Sequence, residues 1–267
     1  MISKKILKKR LKNIKMKKNK LRHKKIIAES FYSEKNNGIG IIFCPGIPGK
    51  SNYEDVVKKY VNDGFVFIQP KYIGSWESYG SFSVEKSRKT IIDFTNSLLK
   101  GETNTIFNES FDVDINKIYL LGHSFGGSIA LCAGAESDVD GIIALAPVTD
   151  YKRQREESGG ESLSWLYKFI KKGFENVYRG LEKNKWEQFC KTGGSINASD
   201  YLNKLKNKRI LLMHGKKDKT VLSKQSKNFY EKLKKINDEI SYYETEDTHS
   251  EIKYNSYKKI LSWINKN

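Results

Sequence analysis

The segment 118–131 carries the residues of this chain whose types and spacing are best suited to chemistry. An apolar run leads directly into Gly-His-Ser-Phe-Gly at 122–126, and a run rich in Ala and Leu follows it. A sharp turn from a strand into a helix would lift the Ser124 hydroxyl out of a sheet, and Gly122 and Gly126 leave room for the tight packing around it. The N–H groups at the helix start would face an oxyanion. Ser124 is therefore the candidate nucleophile of an acyl transfer.

This arrangement resembles the α/β-hydrolase superfamily of serine hydrolases, of the esterase and lipase type. The resemblance runs from about residue 39 to the C-terminal end of the sequence. In that family an acid and then a histidine follow the nucleophile along the chain. Residues 211–221 look like the family's strand and acid-bearing loop, which implies that Asp218 is the acid. Asp200 and Asp247 are weaker alternatives, because neither follows a strand expected to be buried.

Four histidines compete for the role of general base. His23 lies near the N-terminus, while His123 and His214 occupy positions where the family usually has structural residues. His249 follows the last predicted strand and precedes the last predicted helix, which is where the resemblance places the base. The implied triad is therefore Ser124, Asp218 and His249.

Acyl transfer also needs hydrogen-bond donors for the developing oxyanion. The resemblance implies the N–H of Phe125 as one donor, because this residue follows the nucleophile. Residues 43–49 resemble the family's His-Gly-x loop with proline in place of histidine, which implies the N–H of Ile47 as the second donor. Gly46 is the alternative for this second position. Pro45 and Pro48 are excluded because proline has no N–H.

Aromatic residues in two segments are candidates for the substrate pocket. Residues 69–80 resemble a loop that borders the active site in many family members, so Tyr72 and Trp76 either line the pocket or pack in the core. Trp165 and Phe169 recur at near-helical spacing, which predicts a helix whose apolar face either covers the pocket or packs on the sheet.

The elements that must position these residues alternate along the chain. Strands are expected at 26–32 and 39–44, joined by a turn at 36–38, and then at 65–69, 118–121, 141–146, 210–214 and 240–243. Helices are expected at 53–61, 84–99, 127–135, 221–236 and 254–264. This alternation predicts a doubly wound, mostly parallel α/β sheet. The alternation of strands and helices is interrupted between residues 147 and 208, which predicts a helical lid inserted at about 148–205. The whole domain is expected to span residues 26–267.

The net charge of +18 is concentrated at one end of the sequence. Residues 1–25 hold thirteen Lys and Arg and no acid, which leaves only +5 for the remainder. These residues are expected to form a basic N-terminal tail whose apolar residues fall roughly on one helical face. Such a segment either lies on an anionic membrane surface or extends as a solvated chain. The remainder lacks interleaved basic and aromatic residues, so no specific nucleic-acid partner is expected.

Composition also excludes several classes of protein. No apolar run approaches the ~18 residues of a membrane-spanning helix, and the first residues lack the apolar core of a secretory signal. Three widely spaced cysteines argue against a disulfide framework and a zinc site. A cytoplasmic hydrolase, with peripheral membrane association through its tail, is the expectation. The implied mechanism requires no cofactor and no metal.

The resemblance implies a hydrolase that cleaves a carboxylic ester through an acyl-enzyme on Ser124. Residues 146–150 also resemble the catalytic domains of prolyl-oligopeptidase-type peptidases, so amide hydrolysis is the alternative. The substrate would be a small-molecule ester or a short peptide. The non-enzyme alternatives are a membrane or nucleic-acid binding protein acting through its basic tail, and a ligand-binding protein without turnover.

Overall fold

The computed structural model describes residues 15–50, 53–157 and 163–266. Within these ranges nine strands form one sheet, in the order β5-β1-β2-β4-β3-β6-β7-β8-β9. The strands are β1 Lys17–His23, β2 Ile26–Tyr32, β3 Ile39–Cys44, β4 Val66–Pro70, β5 Asn104–Thr105, β6 Lys117–His123, β7 Gly141–Leu145, β8 Ile210–Gly215 and β9 Ile240–Thr245.

Pairing in the sheet is parallel from β4 through β3, β6, β7 and β8 to β9. The three pairs at the other edge, β2 with β4, β1 with β2 and β1 with β5, are antiparallel. The predicted mostly parallel α/β sheet is therefore confirmed. The strands β2 and β3 are not neighbours despite the turn that joins them, because β4 lies between them.

Helices cover both faces of the sheet, as a doubly wound fold requires. They are α1 Glu54–Asn62, α2 Val84–Leu99, α3 Phe125–Gly134, α4 Tyr151–Glu157, α5 Leu163–Gly173, α6 Lys183–Thr192, α7 Leu202–Leu205, α8 Ser223–Lys234, α9 Ile252–Asn255 and α10 Tyr257–Ile264. One face packs on α3 and α8, and the other packs on α1 and α10. In the described ranges, no helix combines the length and apolarity needed to cross a bilayer.

Alternate residues of the central strands point to opposite faces. Leu120 and Ala144 belong to the core on the α3 side, whereas their neighbours Leu121 and Leu145 belong to the core on the α1 side. A strand buried on both faces reads as a continuous apolar run, which is why β6, β7 and β8 were recognisable in the sequence.

The predicted boundary of the N-terminal tail at residue 25 is wrong, because β1 belongs to the sheet. This strand pairs along its whole length with β2. Leu21, one of the apolar residues of the predicted tail, is completely buried in the sheet. Lys18 pairs with the buried Glu29 of β2, with 2.8 Å between Nζ and Oε1. The rest of the predicted tail, residues 1–14, lies outside the described residues.

The predicted insertion is helical. Between β7 and β8 the chain forms α4, α5, α6, two short 3-10 turns and α7. Trp186 of α6 is buried, and its ring N–H donates to the carbonyl of Leu163 at 2.8 Å, so α5 and α6 are tied together. The described part of the insertion packs against the core on the α3 side of the sheet.

Candidate active site

Ser124 lies at the predicted turn between β6 and α3. Its backbone has φ 58° and ψ −124°, a conformation that non-glycine residues rarely adopt. A Cβ on Gly122 would lie 2.1 Å from the Gly126 carbonyl oxygen, and a Cβ on Gly126 would lie 1.9 Å from that of Cys44. Only glycine fits at these two positions. The close packing on both sides of Ser124 therefore holds the turn in its strained conformation. Such strain is typical of functional sites.

Asp218 lies in the loop after β8, and its carboxylate is fully enclosed. Its Oδ1 accepts hydrogen bonds from the backbone N–H groups of Thr220 and Val221, each at 2.9 Å. Its Oδ2 accepts from two histidines, His249 and His214. Burial alone would raise the pKa of Asp218, but these hydrogen bonds outweigh it and hold the pKa well below its ordinary value. The carboxylate is therefore ionised at neutral pH.

His249 lies on the loop between β9 and α9, beside Asp218. Its Nδ1 donates to Asp218 Oδ2 at 2.6 Å, a short hydrogen bond to an ionised acceptor. This bond places the ring proton on Nδ1 and leaves the Nε2 lone pair available as a base. The loops themselves are in contact, because a Cβ on Gly215 at the end of β8 would lie 2.0 Å from the Asp247 carbonyl oxygen. Asp247 thus contributes backbone packing, while the alternative Asp200 lies in a 3-10 turn of the insertion.

The loop after β3 places Ile47 beside the serine. Ile47, Ser124, Phe125 and His249 all line one cavity. Within the described parts of the chain, neither the Ile47 nor the Phe125 backbone N–H donates a hydrogen bond to the protein. Two residues with unpaired backbone N–H groups thus line the cavity that also holds Ser124, and oxyanion stabilisation requires donors of this kind. Gly46, the alternative donor, is not among the residues that line this cavity, and a Cβ on it would lie 3.3 Å from the His123 carbonyl oxygen.

The cavity has a volume of about 300 Å³. Its apolar wall comes largely from the insertion and includes Leu163, Trp165, Leu166, Phe169, Trp186 and Phe189. Among the described residues that line it, none is Asp, Glu, Lys or Arg. Trp165 and Phe169 were predicted for the pocket, and the structure places both in its wall.

The other two pocket residues suggested by the sequence, Tyr72 and Trp76, are not among those lining the cavity. Tyr72 is buried, and its hydroxyl donates to the Pro45 carbonyl at 2.8 Å, so it supports the loop that carries Ile47. The backbone N–H of Trp76 donates to the Val177 carbonyl of the insertion at 3.1 Å. Through these hydrogen bonds, Tyr72 and Trp76 connect loops that lie beside the cavity.

Sequence reasoning set aside two histidines that contact the site. His123 is buried, and its Nε2 donates to the backbone carbonyl of His249 at 2.7 Å. His214 is buried, and its Nε2 lies 3.1 Å from Asp218 Oδ2 and 2.8 Å from the Val221 carbonyl oxygen. Both partners of Nε2 are acceptors, so His214 donates from this atom and helps to fix the carboxylate. The only sequence feature that could have indicated these contacts is that His123 adjoins Ser124 and that His214 lies four residues before Asp218.

Metal ligands are not grouped at this site or elsewhere in the described ranges. No cluster of three or more His, Cys, Asp or Glu residues there could hold a metal ion.

Comparisons with known proteins agree with this geometry. The model of the prolyl oligopeptidase family (Peptidase_S9) matches residues 53–267, from α1 through β9 to the end of the chain. The chain belongs to the prolyl oligopeptidase family. No curated protein matched the sequence.

Solved structures share the fold. The Pyrococcus furiosus esterase Pf2001 is 15% identical, with a TM-score of 0.66 over 99% of this chain and 93% of that one. Est1E from Butyrivibrio proteoclasticus is 18% identical, with a TM-score of 0.62 over 93% of this chain and 99% of that one. A Pyrococcus horikoshii acylaminoacyl peptidase is 15% identical, with a TM-score of 0.63 over 97% of this chain but 42% of that one. The predicted membership of the α/β-hydrolase superfamily is confirmed, and the chain is a hydrolase by family.

Proposed function

We propose that this hydrolase cleaves neutral carboxylic esters of modest size through an acyl-enzyme on Ser124. The observation that carries the proposal is the 2.6 Å hydrogen bond between Asp218 Oδ2 and Nδ1 of His249, a residue that lines the same cavity as the strained Ser124 turn. A nucleophile, a base and a group that orients the base are the parts that covalent acyl transfer requires.

Each residue of this triad has a definite role in the proposal. His249 Nε2 removes the proton from the Ser124 hydroxyl as the oxygen attacks the ester carbonyl, and it then returns that proton to the leaving alcohol. Asp218 holds the Nδ1–H tautomer and stabilises the imidazolium that forms. In the described ranges no hydrogen bond joins Ser124 to His249. We infer that it forms with bound substrate, since catalytic hydrogen bonds are often loose without one.

The oxyanion of the tetrahedral intermediate would be held by the backbone N–H groups of Ile47 and Phe125. Both residues line the cavity with Ser124, and both N–H groups are unpaired among the described residues. Tyr72 and Tyr178 support this role by holding the loop that carries Ile47. Tyr178 does so by accepting a hydrogen bond from the Gly49 N–H at 2.9 Å. A preorganised donor of this kind typically contributes about 10²–10³-fold to kcat.

Two properties of the cavity support a neutral substrate of modest size. Its volume of about 300 Å³ is at the small end of ligand pockets. Its described lining holds no acidic side chain that could pair with the free ammonium group of an unblocked peptide, and an unpaired buried charge is costly. We propose that α5 and α6 act as the lid of this cavity and select the acyl group.

Amide hydrolysis is the second candidate, and the family match favours it, as does the similarity to an acylaminoacyl peptidase. A blocked peptide carries no free ammonium group, so the cavity lining does not argue against this class. The distinction therefore needs substrates that differ only in the scissile bond.

The test uses one butanoyl group presented as a 4-nitrophenyl ester and as a 4-nitroanilide, with an N-acetylated and a free aminoacyl anilide beside them. We expect the ester to have a higher kcat/KM, relative to the uncatalysed rate of each substrate, than any anilide. Ser124→Ala should remove the activity on every substrate. A preference for the N-acetylated anilide would support the peptidase candidate, and full activity of Ser124→Ala would refute both.

A further inference from the structure

The helix α5 has two apolar stripes that face different environments. Leu163 and Ile170 are buried, and they attach the helix to the core. Trp165 and Phe169 lie on a second stripe and are 44% and 40% exposed. A surface helix normally buries its apolar residues on one face and presents polar residues to water. The second stripe of α5 departs from that rule.

The exposed stripe is also part of the active-site cavity. The rings of Trp165 and Phe169 are stacked, with centroids 5.0 Å apart and planes inclined by 12°. Because both side chains line the cavity and both are substantially exposed, the cavity reaches the protein surface at this pair. Leu222 is 40% exposed and directly follows Thr220 and Val221, which line the same cavity. Exposed apolar side chains therefore lie on two of the segments that contribute to the cavity.

Cationic residues accompany these apolar groups. On α5, Lys168 and Lys172 are exposed and share the stripe of Trp165 and Phe169, since the four positions are spaced i, i+3, i+4 and i+7. Lys219 and Lys224 are exposed on either side of Leu222. In the described ranges, none of these four lysines forms an ion pair.

Aromatic residues beside unpaired lysines are the pattern of segments that lie in the interface of an anionic bilayer. The aromatic rings enter the headgroup region, and the ammonium groups meet the lipid phosphates. The positive charge selects this occupant over a neutral apolar partner.

We propose that Trp165 and Phe169 at the cavity opening, together with Lys168 and Lys172 of the same helix and with Leu222 next to the cavity-lining Val221, dock on an anionic lipid surface so that the cavity faces the lipid. An ester dissolved in that layer would then enter the cavity without crossing water. The docking is independent of catalysis, whereas the inference of a lipid-borne ester rests on the proposed function. The docking surface is also distinct from the N-terminal residues 1–25 considered from the sequence.

The test uses full-length Ser124→Ala protein, which leaves the vesicles chemically intact. We expect it to sediment with vesicles of phosphatidylcholine and phosphatidylglycerol, and to bind pure phosphatidylcholine vesicles far more weakly. Each lysine near an anionic surface contributes about 1 kcal/mol, or about fivefold in affinity. The triple variant Lys168→Gln, Lys172→Gln, Lys224→Gln should therefore bind at least about a hundredfold more weakly.

A matched triple variant, Lys24→Gln, Lys89→Gln, Lys100→Gln, removes the same charge at exposed positions on other elements. It should keep most of the affinity. Equal losses in the two triple variants would overturn the proposal, because they would show that net charge and not this surface governs binding. Failure of the Ser124→Ala protein to bind anionic vesicles would overturn it as well.

Fluorescence quenching by brominated lipids tests the orientation. Trp186 and Trp263 are buried and Trp76 is half-buried, so Trp165 is the most exposed of the four tryptophans. Quenching of the Ser124→Ala protein should largely disappear in a Ser124→Ala, Trp165→Phe variant. Undiminished quenching would contradict the proposed orientation. Because these measurements need no turnover, they stand even if the proposed ester hydrolysis fails.

Discussion

His123 makes the stability of this protein depend on pH in a way that can be measured. The ring is buried beside His249, and its Nε2 donates to the His249 carbonyl. Burial is the main cause that lowers the pKa of His123 to about 3 from its ordinary value of 6.5, and the charge of His249 adds to it. The folded protein therefore keeps this ring neutral under mildly acidic conditions, in which the unfolded chain binds a proton.

The sign and size of the effect follow from this difference in pKa. Since the folded-state pKa is lowered, the contribution to stability is fully present above the unfolded pKa of about 6.5 and is lost as the pH falls toward about 3. Between about pH 7.5 and about pH 5, proton uptake by the unfolded state should cost roughly 2 kcal/mol in the free energy of unfolding.

The assay is urea unfolding at these two pH values for the wild type and for His123→Gln. The amide nitrogen of glutamine lies about as far along the side chain as Nε2 of histidine, so it can donate to the His249 carbonyl, and it does not titrate. We expect the wild type to lose about 2 kcal/mol more than the variant on acidification, because the other titratable groups cancel in the comparison. The same loss in both proteins would refute the reasoning, whatever the absolute stability of the variant.

Three further predictions follow from the site and the sheet. Asp218→Asn should lower kcat on a soluble ester by about 10⁴-fold, because the amide cannot hold the His249 tautomer; a loss below tenfold would contradict the assigned role. Trp165→Ala and Phe169→Ala should change the relative kcat/KM across acyl-chain lengths by about 1–3 kcal/mol, whereas unchanged ratios would show that neither side chain contacts the acyl group. Leu21→Ala should lower the free energy of unfolding by about 2–5 kcal/mol, because Leu21 is fully buried in β1; an unchanged urea midpoint would contradict a structural role for this strand.

The central strands were predictable because each is buried on both faces and therefore consists of a continuous apolar run. The strand β1 was not, since Leu21 is its only fully buried residue among lysines, an arginine and polar neighbours. Its conformation depends on pairing with β2 and on partners such as Glu29, which lie elsewhere in the chain. The composition of residues 17–23 alone does not indicate such tertiary contacts.

Some residues of the candidate site could likewise be predicted from the sequence, and others could not. Ser124, Asp218 and His249 were identified because each follows a recognisable strand, and the ends of parallel strands meet at one edge of a sheet. The direction of a side chain within a long loop is set by distant contacts. Tyr72 therefore proved to support the Pro45 carbonyl instead of lining the cavity. The contacts of His123 and His214 likewise depend on loops that meet only in the fold.

Covalent labelling is the most direct test of Ser124 as the nucleophile. Wild-type protein should be incubated with a fluorophosphonate, digested, and its modified peptide sequenced by mass spectrometry, with Ser124→Ala and His249→Ala treated in parallel. We expect one adduct, on Ser124, which is absent in Ser124→Ala and forms far more slowly in His249→Ala. An adduct on another residue, or labelling of the wild type that His249→Ala leaves unchanged, would contradict this expectation.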